Sequence, residues 1–244
     1  YQYAEAEDGS ADNPFRGHVY GGGRGVDPLY HGEISEERSS TAGRVYGHTY
    51  VTMTGGVVRR AIYGGGMLAS VGVYRLNKDD DYHVVGMIED EVDMGDCYVT
   101  ISGGYIGNVN PDGTAFSGDD YLAPGNNNGF VFGSSCGMVA DDYTVEESGG
   151  QVEVDLQYRQ MGYSHTTHVD ISGTPHIFGS VFGSGENGHV WEDAKVTISG
   201  GEIGSPGNTS PFVGNVYGSG RGVDHPHASI SETAGKVRGN TTVS

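Results

Sequence analysis

The chain has 244 residues, with 32 acidic residues against 13 Lys and Arg, and a formal net charge of −19. A surface of this sign repels nucleic acid and anionic lipid, so neither is expected as a partner. The 44 glycines follow no strict three-residue period and come with only 8 prolines, which excludes collagen. Because no apolar run is long enough for a bilayer and no window shows helical spacing, the sequence predicts an all-β protein without direct membrane insertion.

The first segment, residues 1–16, is acidic and has no regular period. We predict that it is a lead-in, or the end of a preceding repeat, outside the repeat domain itself. The acidity of the whole chain has two interpretations. It keeps a chain rich in glycine and strand residues soluble, or it supplies carboxylates for calcium, a hard cation that prefers clustered oxygen ligands.

From residue 17 onward two short patterns alternate, with five copies of each. The aromatic-glycine pattern is an apolar residue, an aromatic residue and glycine, at residues 19–21, 62–64, 131–133, 181–183 and 216–218. The threonine strand alternates apolar with hydroxyl or acidic residues, at residues 51–54, 99–102, 169–172, 196–199 and 241–244. The longest self-match pairs residues 19–27 with residues 216–224. A fixed alternation of this kind is typical of a repeat architecture.

Each threonine strand has one apolar and one polar face, so only one face is buried. The glycine pair that follows, such as Gly200-Gly201, permits a sharp corner with positive φ. Successive strands and corners predict a parallel β-helix, or β-solenoid, with ladders of like residues along its axis and an internal stack of Tyr and Phe rings. The prediction is therefore a single all-β domain at residues 17–244, with long loop insertions. Since Ser244 falls inside a predicted strand, we expect a truncated C-terminal end.

Uneven spacing between the patterns predicts long loops at residues 27–40, 71–96, 108–128 and 139–168, where function is expected. One loop holds Asn108, Asn110 and Asp112, followed by Gly113 and, at the twelfth position, Asp119. Oxygen ligands at alternate positions, a glycine and a closing carboxylate resemble a calcium loop of the EF-hand type. These oxygen-bearing residues are the candidate metal site and calcium is the candidate cofactor. The alternative is an Asx-rich surface turn.

Histidine pairs and the two cysteines give further candidates. The close histidine pairs are His165 with His168 and His225 with His227. A two-residue spacing on a strand places both side chains on one side, so His225 and His227 could share a metal, or else all four are polar loop residues. The two cysteines, at positions 97 and 136, form one disulfide if they fall on neighbouring repeats, or else are buried thiols. Acidic runs are expected to be solvated loop charge, at residues 79–81, 89–91, 119–120 and 141–142.

The sequence Val-Thr-Ile-Ser-Gly-Gly-Glu-Ile-Gly at residues 196–204, with Val-Tyr-Gly-Gly-Gly at residues 19–23, resembles the glycine-rich repeats of large bacterial cell-surface proteins. Those adhesin-like proteins, similar to ones from gut Bacteroidetes, are thought to form right-handed parallel β-helices of the pectin-lyase-like type. The resemblance covers most of residues 17–244. It implies an extracellular location at a bacterial cell surface, and members of this group generally lack an assigned reaction.

We therefore predict an extracellular structural or adhesive repeat protein. Its expected partners are further repeats of the same chain or identical subunits stacked end to end into a filament, and a glycan or host cell-surface protein at the loops. The alternative is a calcium-dependent carbohydrate-binding or polysaccharide-lyase-like β-helix. A lyase would need a base such as Arg59, Arg60 or Arg159 beside a carboxylate cluster on an outer face. Nothing in the sequence ties these arginines to carboxylates, so no catalytic residue is assigned.

Overall fold

The computed structural model describes residues 17–26, 29–30, 33–34, 41–73, 76–78, 84–87, 93–107, 129–137, 161–205, 213–222 and 234–244. The predicted lead-in, residues 1–16, lies outside them. The strands are, in chain order, β1 (Val19–Tyr20), β2 (Leu29–Tyr30), β3 (Glu33–Ile34), β4 (Thr49–Met53), β5 (Val57–Val58), β6 (Ile62–Tyr63), β7 (Gly72–Val73), β8 (Leu76–Lys78), β9 (Val84–Met87), β10 (Asp93–Met94), β11 (Cys97–Ile101), β12 (Tyr105–Ile106), β13 (Val131–Phe132), β14 (Tyr163–Ser164), β15 (Thr167–Ile171), β16 (His176–Ile177), β17 (Val181–Phe182), β18 (His189–Val190), β19 (Ala194–Ile198), β20 (Glu202–Ile203), β21 (Val216–Tyr217) and β22 (Thr241–Val243).

Three parallel sheets contain the repeats that are visible in the sequence. The aromatic sheet has the order β1-β6-β13-β17-β21, the threonine sheet β4-β11-β15-β19-β22, and the third sheet β5-β12-β16-β20. Along the chain, strands enter these sheets in a fixed cycle, from the aromatic to the threonine to the third sheet and back to the aromatic sheet. Each sheet therefore gains one strand per repeat, and its neighbouring strands come from successive repeats.

The threonine sheet has the alternation that the sequence predicts. In β11, Val99 and Ile101 are fully buried, whereas Thr100 between them is exposed. Parallel pairing without any shift of register places five valines in one column across the sheet, namely Val51, Val99, Val169, Val196 and Val243. In β4, β11 and β15 the apolar face is thus the buried face, as predicted, whereas β22 at the end of the sheet is exposed.

A glycine after each aromatic residue brings the aromatic and threonine sheets into contact. A Cβ atom added at Gly133 would overlap the carbonyl oxygen of Gly183 in the next repeat and would lie 3.0 Å from Cγ2 of Val169 in the threonine sheet. Gly64 has the same surroundings in the preceding repeat, where its neighbour is Val99. The valine column therefore packs directly on the backbone of the aromatic sheet, where only glycine leaves enough room.

The predicted internal aromatic stack is present. Tyr20, Tyr63, Phe132, Phe182 and Tyr217 stack in chain order, with successive ring centroids 4.8, 4.8, 4.9 and 4.8 Å apart. This spacing equals the distance between neighbouring strands of a sheet, so the rings follow the strands in register. The aromatic-glycine pattern, predicted as a turn, is a two-residue parallel strand followed by a bend.

The third sheet was missed by the sequence analysis, which foresaw one strand and one corner between aromatic positions. Its strands are only two residues long, and three of the four follow a glycine pair directly, whereas β16 follows Gly173-Thr174-Pro175. The predicted corners do have positive φ, with values of 94° at Gly104 and 90° at Gly201. A strand of two residues is too short to show an alternating pattern, which explains why it escaped notice.

Two of the predicted loops contain antiparallel strand pairs of their own, and a third, residues 139–168, contains β14, which pairs in parallel with β18. Within residues 27–40, β2 pairs with β3, and within residues 71–96, β7 pairs with β10 and β8 pairs with β9. All three pairings are antiparallel, unlike those of the three repeat sheets. These segments therefore leave the repeat pattern and return to it, instead of extending its sheets.

Side chains from all three repeat sheets form one hydrophobic core. Its members are Val51, Met53, Ile62, Val99, Ile101, Ile106, Val131, Val169, Ile171, Ile177, Val181 and Val196. A second cluster, with Tyr63, Phe130, Phe132 and Phe182, lies around the aromatic stack. The described part of the chain is thus an all-β fold of mostly parallel sheets, as predicted.

Candidate functional sites at the sheet ends and on the outer face

Every repeat sheet ends in strands that have a neighbour on one side only, within the part of the chain that the structure describes. The N-terminal end of the sheets has β1, β4 and β5, and the C-terminal end has β21, β22 and β20. The outer edge of such a strand presents backbone N–H and C=O groups that can pair with another strand. The two ends are therefore candidate interaction surfaces.

Exposed apolar side chains are concentrated at these ends. Val19 is 37% exposed and Tyr50 70% exposed at the N-terminal end, and Tyr217 is 39% and Val243 50% exposed at the C-terminal end. In the valine column the inner residues are buried, as for Val99, which is 0% exposed, and so is Val51 at its N-terminal end, which is 8% exposed. Val243 and Tyr217 are of the same types as the inner residues of their columns, but no further strand among those described covers them.

Side chains at the corner before the threonine sheet link successive repeats. Nδ1 of His48 accepts the backbone N–H of Asp96 at 2.9 Å, and Oδ1 of Asp96 accepts that of Thr166 at 3.2 Å. In the last repeat, Oδ1 of Asp193 accepts the N–H of Asn240 at 2.7 Å. Each of these side chains satisfies a donor that the sheet itself leaves unpaired, much as a cap does at the end of a helix.

Asp96 is the centre of a polar cluster at this corner. Its Oδ1 accepts hydrogen bonds from the hydroxyl of Thr166 at 2.6 Å and from Nδ1 of His165 at 2.9 Å. The hydroxyl of Tyr98 donates to Oδ2 at 3.3 Å. Burial by itself raises the pKa of Asp96, but the hydrogen bonds from Thr166 and His165 lower it more, so the net pKa is below its ordinary value. The carboxylate is therefore held in its charged form.

An outer stack runs beside this cluster on the solvent face of the threonine sheet. The rings of Tyr50, Tyr98 and His168 are stacked with centroids 5.0 and 4.8 Å apart and planes within 6° of parallel. His168 also lies 3.3 Å from the hydroxyl of Thr166, which connects the stack to the Asp96 cluster. Together they form a polar–aromatic face, on which Tyr50 is exposed and Tyr98 and His168 are partly exposed.

A second polar contact lies inside the fold, next to the aromatic stack. The hydroxyl of Tyr63 donates to Oε2 of the buried Glu186 at 2.7 Å, and Oε1 of Glu186 lies 3.9 Å from Nη1 of Arg221. Burial raises the pKa of Tyr63 well above its ordinary value, and the neighbouring Glu186 raises it further. The phenol therefore stays a hydrogen-bond donor throughout the physiological range. This contact is structural, since it is closed off from solvent.

The predicted calcium loop, with Asn108, Asn110, Asp112 and Asp119, lies outside the described residues. The same holds for His225 and His227. Among the residues that the structure does describe, no group of three or more His, Cys, Asp or Glu is arranged to hold a metal ion.

The side chains of His165 and His168 contact different groups in this fold. His165 faces the carboxylate of Asp96, whereas the ring of His168 stacks on Tyr98. Neighbouring positions at this corner thus have different partners.

Both cysteines are free thiols, so the disulfide alternative is wrong. Cys97 is fully buried in the threonine sheet, and its burial raises the pKa of its thiol to about 12. Cys136 lies in another part of the repeat, between Met67 and the Glu186 contact. The two thiols belong to different columns of the repeat, which explains why they do not meet.

Asp96 was not among the predicted site residues. Its hydrogen-bonding partners are 48 and 69–70 positions away in the sequence, across loops of unequal length. The sequence does contain one indication of this site, since Asp96 and Asp193 occupy the same position, immediately before a threonine strand. An alignment of the repeats on that strand would have placed them in one column.

Comparison of the chain with protein-family models, with curated proteins and with solved structures found no match. The resemblance to bacterial adhesin-like repeats therefore stays a prediction. Among the described residues, the fold includes no helix with the length and apolar character needed to cross a membrane.

Proposed function

We propose that the chain is a three-sided parallel β-helix and that it works as a structural and adhesive repeat domain at a bacterial cell surface. The β-helix would arise if the chain winds once around a common core for each cycle through the three sheets. The shared hydrophobic core and the fixed order of the sheets support this geometry.

One observation carries the functional proposal: the same residue types recur in register through every repeat. The valine column and the aromatic stack each extend over five strands without a shift. A chain built in this way specifies a rod of defined length and stiffness, which suits a spacer that displays loops along its sides. We place the adhesive contacts in the long loops, where partners would be a glycan or a host cell-surface protein.

The second candidate is a carbohydrate-binding or lyase-like β-helix that uses calcium. The polar–aromatic face around Asp96, Tyr98 and His168 favours carbohydrate binding, because sugars are recognised by aromatic rings together with hydrogen-bonding side chains. A lyase would also need a base beside carboxylates on an outer face. The contact between Arg221 and Glu186 does not provide this, since Glu186 is buried inside the fold.

The test is a binding and cleavage assay on the chain as it stands. The purified chain would be immobilised and exposed to a panel of soluble polysaccharides and mucin-type glycoproteins, with calcium and then with chelator. Supernatants from the same incubations would be assayed for new reducing ends. We expect saturable binding to at least one glycoprotein and no new reducing ends.

Three outcomes separate the hypotheses. Release of reducing ends that requires calcium would overturn the adhesive proposal in favour of the lyase. Binding that survives chelation but is lost in Tyr98→Ala would assign it to the polar–aromatic face instead of the loops. A folded chain that binds no member of the panel would contradict the adhesive part. The matched control is Tyr105→Ala, an exposed ring in the third sheet.

A further inference from the structure

We propose that the two ends of the described repeat sheets are complementary, so that a second copy of this chain adds head-to-tail and continues the sheets. The proposal rests on the proposed β-helix, because the strands of the sheets must end at the same two faces for a copy to meet them together. The proposed partner is another copy of the chain, whose β1 and β4 would pair with β21 and β22 of the first copy.

The aromatic sheet shows how the junction would pair. In every inner pair the hydrogen bonds have one pattern, in which Val19 N–H donates to the Ala61 carbonyl and Val131 N–H to the Ser180 carbonyl. Continuing the pattern beyond β21, Val216 N–H would donate to the carbonyl of His18 in the next copy. The ring of Tyr217 would then stack on Tyr20 of that copy, as the inner rings do at 4.8–4.9 Å.

The threonine sheet fits in the same way. Thr49 N–H donates to the Asp96 carbonyl, and Ala194 N–H donates to the Asn240 carbonyl. By this pattern Thr241 N–H would donate to the carbonyl of His48 in the next copy, and Val243 would lie beside Val51. Val243, the half-exposed end of the valine column, would thus be covered by Val51 of the next copy.

The corner before the threonine sheet adds a polar contact to the junction. The side chains of His48, Asp96 and Asp193 at this corner each accept the backbone N–H of the equivalent residue one repeat on, as Asp193 does for Asn240 at 2.7 Å. Nδ2 of Asn240 donates to Asp193 at 3.3 Å, which leaves its Oδ1 directed away from that residue. This oxygen would accept the N–H of His48 in the next copy.

The polarity of the strands decides the mode of assembly. All pairs within the three repeat sheets are parallel. Two copies related by a twofold axis would pair end strands antiparallel and would break the columns, whereas a head-to-tail copy preserves them. Such a contact uses two different surfaces and repeats without closing, so it produces chains of variable length. The third sheet would not be continuous, since β20 and β5 would lie about two strand spacings apart.

Charge opposes the junction and sets its salt dependence. Each copy has a formal net charge of −19, so copies repel one another at low ionic strength. Arg221 and Arg24 occupy the same column and would also become neighbours at the junction. Salt screens both effects, so chain length should increase with salt concentration.

The test compares three variants by sedimentation velocity over a concentration series, at low and at raised salt. Val243→Lys blocks the C-terminal end and Val19→Lys the N-terminal end, and each should weaken self-association by about tenfold or more. Lysine reduces the net negative charge, so a loss of association cannot come from added repulsion. Tyr105→Lys, on an inner strand, is the matched control and should associate like the parent chain.

Mixing the two blocked variants tests the head-to-tail geometry directly. Val243→Lys retains an unchanged N-terminal end of the sheets, and Val19→Lys retains an unchanged C-terminal end. The mixture should therefore form a dimer, which has no unchanged end left for a third copy. Dimers of either variant alone would indicate like-with-like contacts and would overturn the proposal. Asn240→Ala, which removes the acceptor oxygen, should weaken association by about fivefold.

Failure of this inference is distinguishable from failure of the proposed β-helix. Circular dichroism and thermal melting of each variant show whether the strands remain folded. A parent chain that stays monomeric at raised salt while it keeps its β-sheet signal overturns the assembly and leaves the β-helix intact. A chain without that signal contradicts the β-helix itself.

Discussion

The inner and the outermost repeats are made of the same residues, yet they differ in how much of each side chain is covered. Val169 in the middle of its column is 0% exposed, and Val243 at the end is 50% exposed. Phe132 is 0% and Tyr217 39% exposed within one aromatic stack. Contact with neighbouring repeats therefore contributes to the stability of each repeat, in addition to its own sequence, as in other repeat proteins.

The largest change in stability is expected when a ring is removed from the middle of the aromatic stack. Phe132→Ala should lower the free energy of unfolding by about 3–5 kcal/mol, because it leaves a cavity between two neighbouring rings. Tyr217→Ala, at the end, should cost less than about 1 kcal/mol, since much of its ring is already in water. Urea unfolding of both variants measures the two costs. Equal costs would contradict the dependence on neighbours.

A methyl group placed between two sheets should have the next largest effect. Gly133→Ala would put its Cβ against the Gly183 carbonyl and Val169, and we expect a loss of about 2–3 kcal/mol through overpacking. The matched control is Gly55→Ala, where a Cβ would meet nothing within 4 Å. Its unfolding free energy should change by less than about 0.5 kcal/mol. A similar loss in both variants would point to backbone effects instead of sheet contact.

Removing the buried phenol hydroxyl tests the polar contact beside the stack. Tyr63→Phe keeps the ring but deletes a hydrogen bond of 2.7 Å to Glu186, so we expect a cost of about 1–3 kcal/mol. The control is Tyr217→Phe, at the exposed end, which should be close to neutral. Thermal melting of the pair gives the comparison. An unchanged Tm for Tyr63→Phe would mean that the carboxylate finds an equivalent donor.

The smallest expected effect is the acid dependence from Asp96. Its pKa in the folded state is below the ordinary value near 3.8, so its stabilisation is present above that value and is lost as the pH falls through the folded pKa. Stability of the parent chain should therefore decrease more steeply below about pH 4 than that of Asp96→Asn. Urea midpoints from pH 6 to pH 2.5 measure this difference. Parallel curves for the two proteins would show that Asp96 is not responsible.

The repeat character of the fold is readable in the sequence because five-residue strands show alternation and glycine marks the corners. Val99, Thr100 and Ile101 have the predicted faces, and the aromatic stack is where the pattern places it. The third sheet was missed because a two-residue strand such as Tyr105–Ile106 has no period. The cluster around Asp96 was missed because it brings together residues from separate repeats.

The edge position of β1 and β22 has a mechanical consequence. Both strands have a neighbour on one side only among the described strands, and they belong to the first and last repeats. A pulling force applied to them would detach strands from the sheet edges one after another, instead of shearing whole sheets at once. Such a domain would yield in steps under load, since each detached repeat releases its own length of chain before the next repeat is strained.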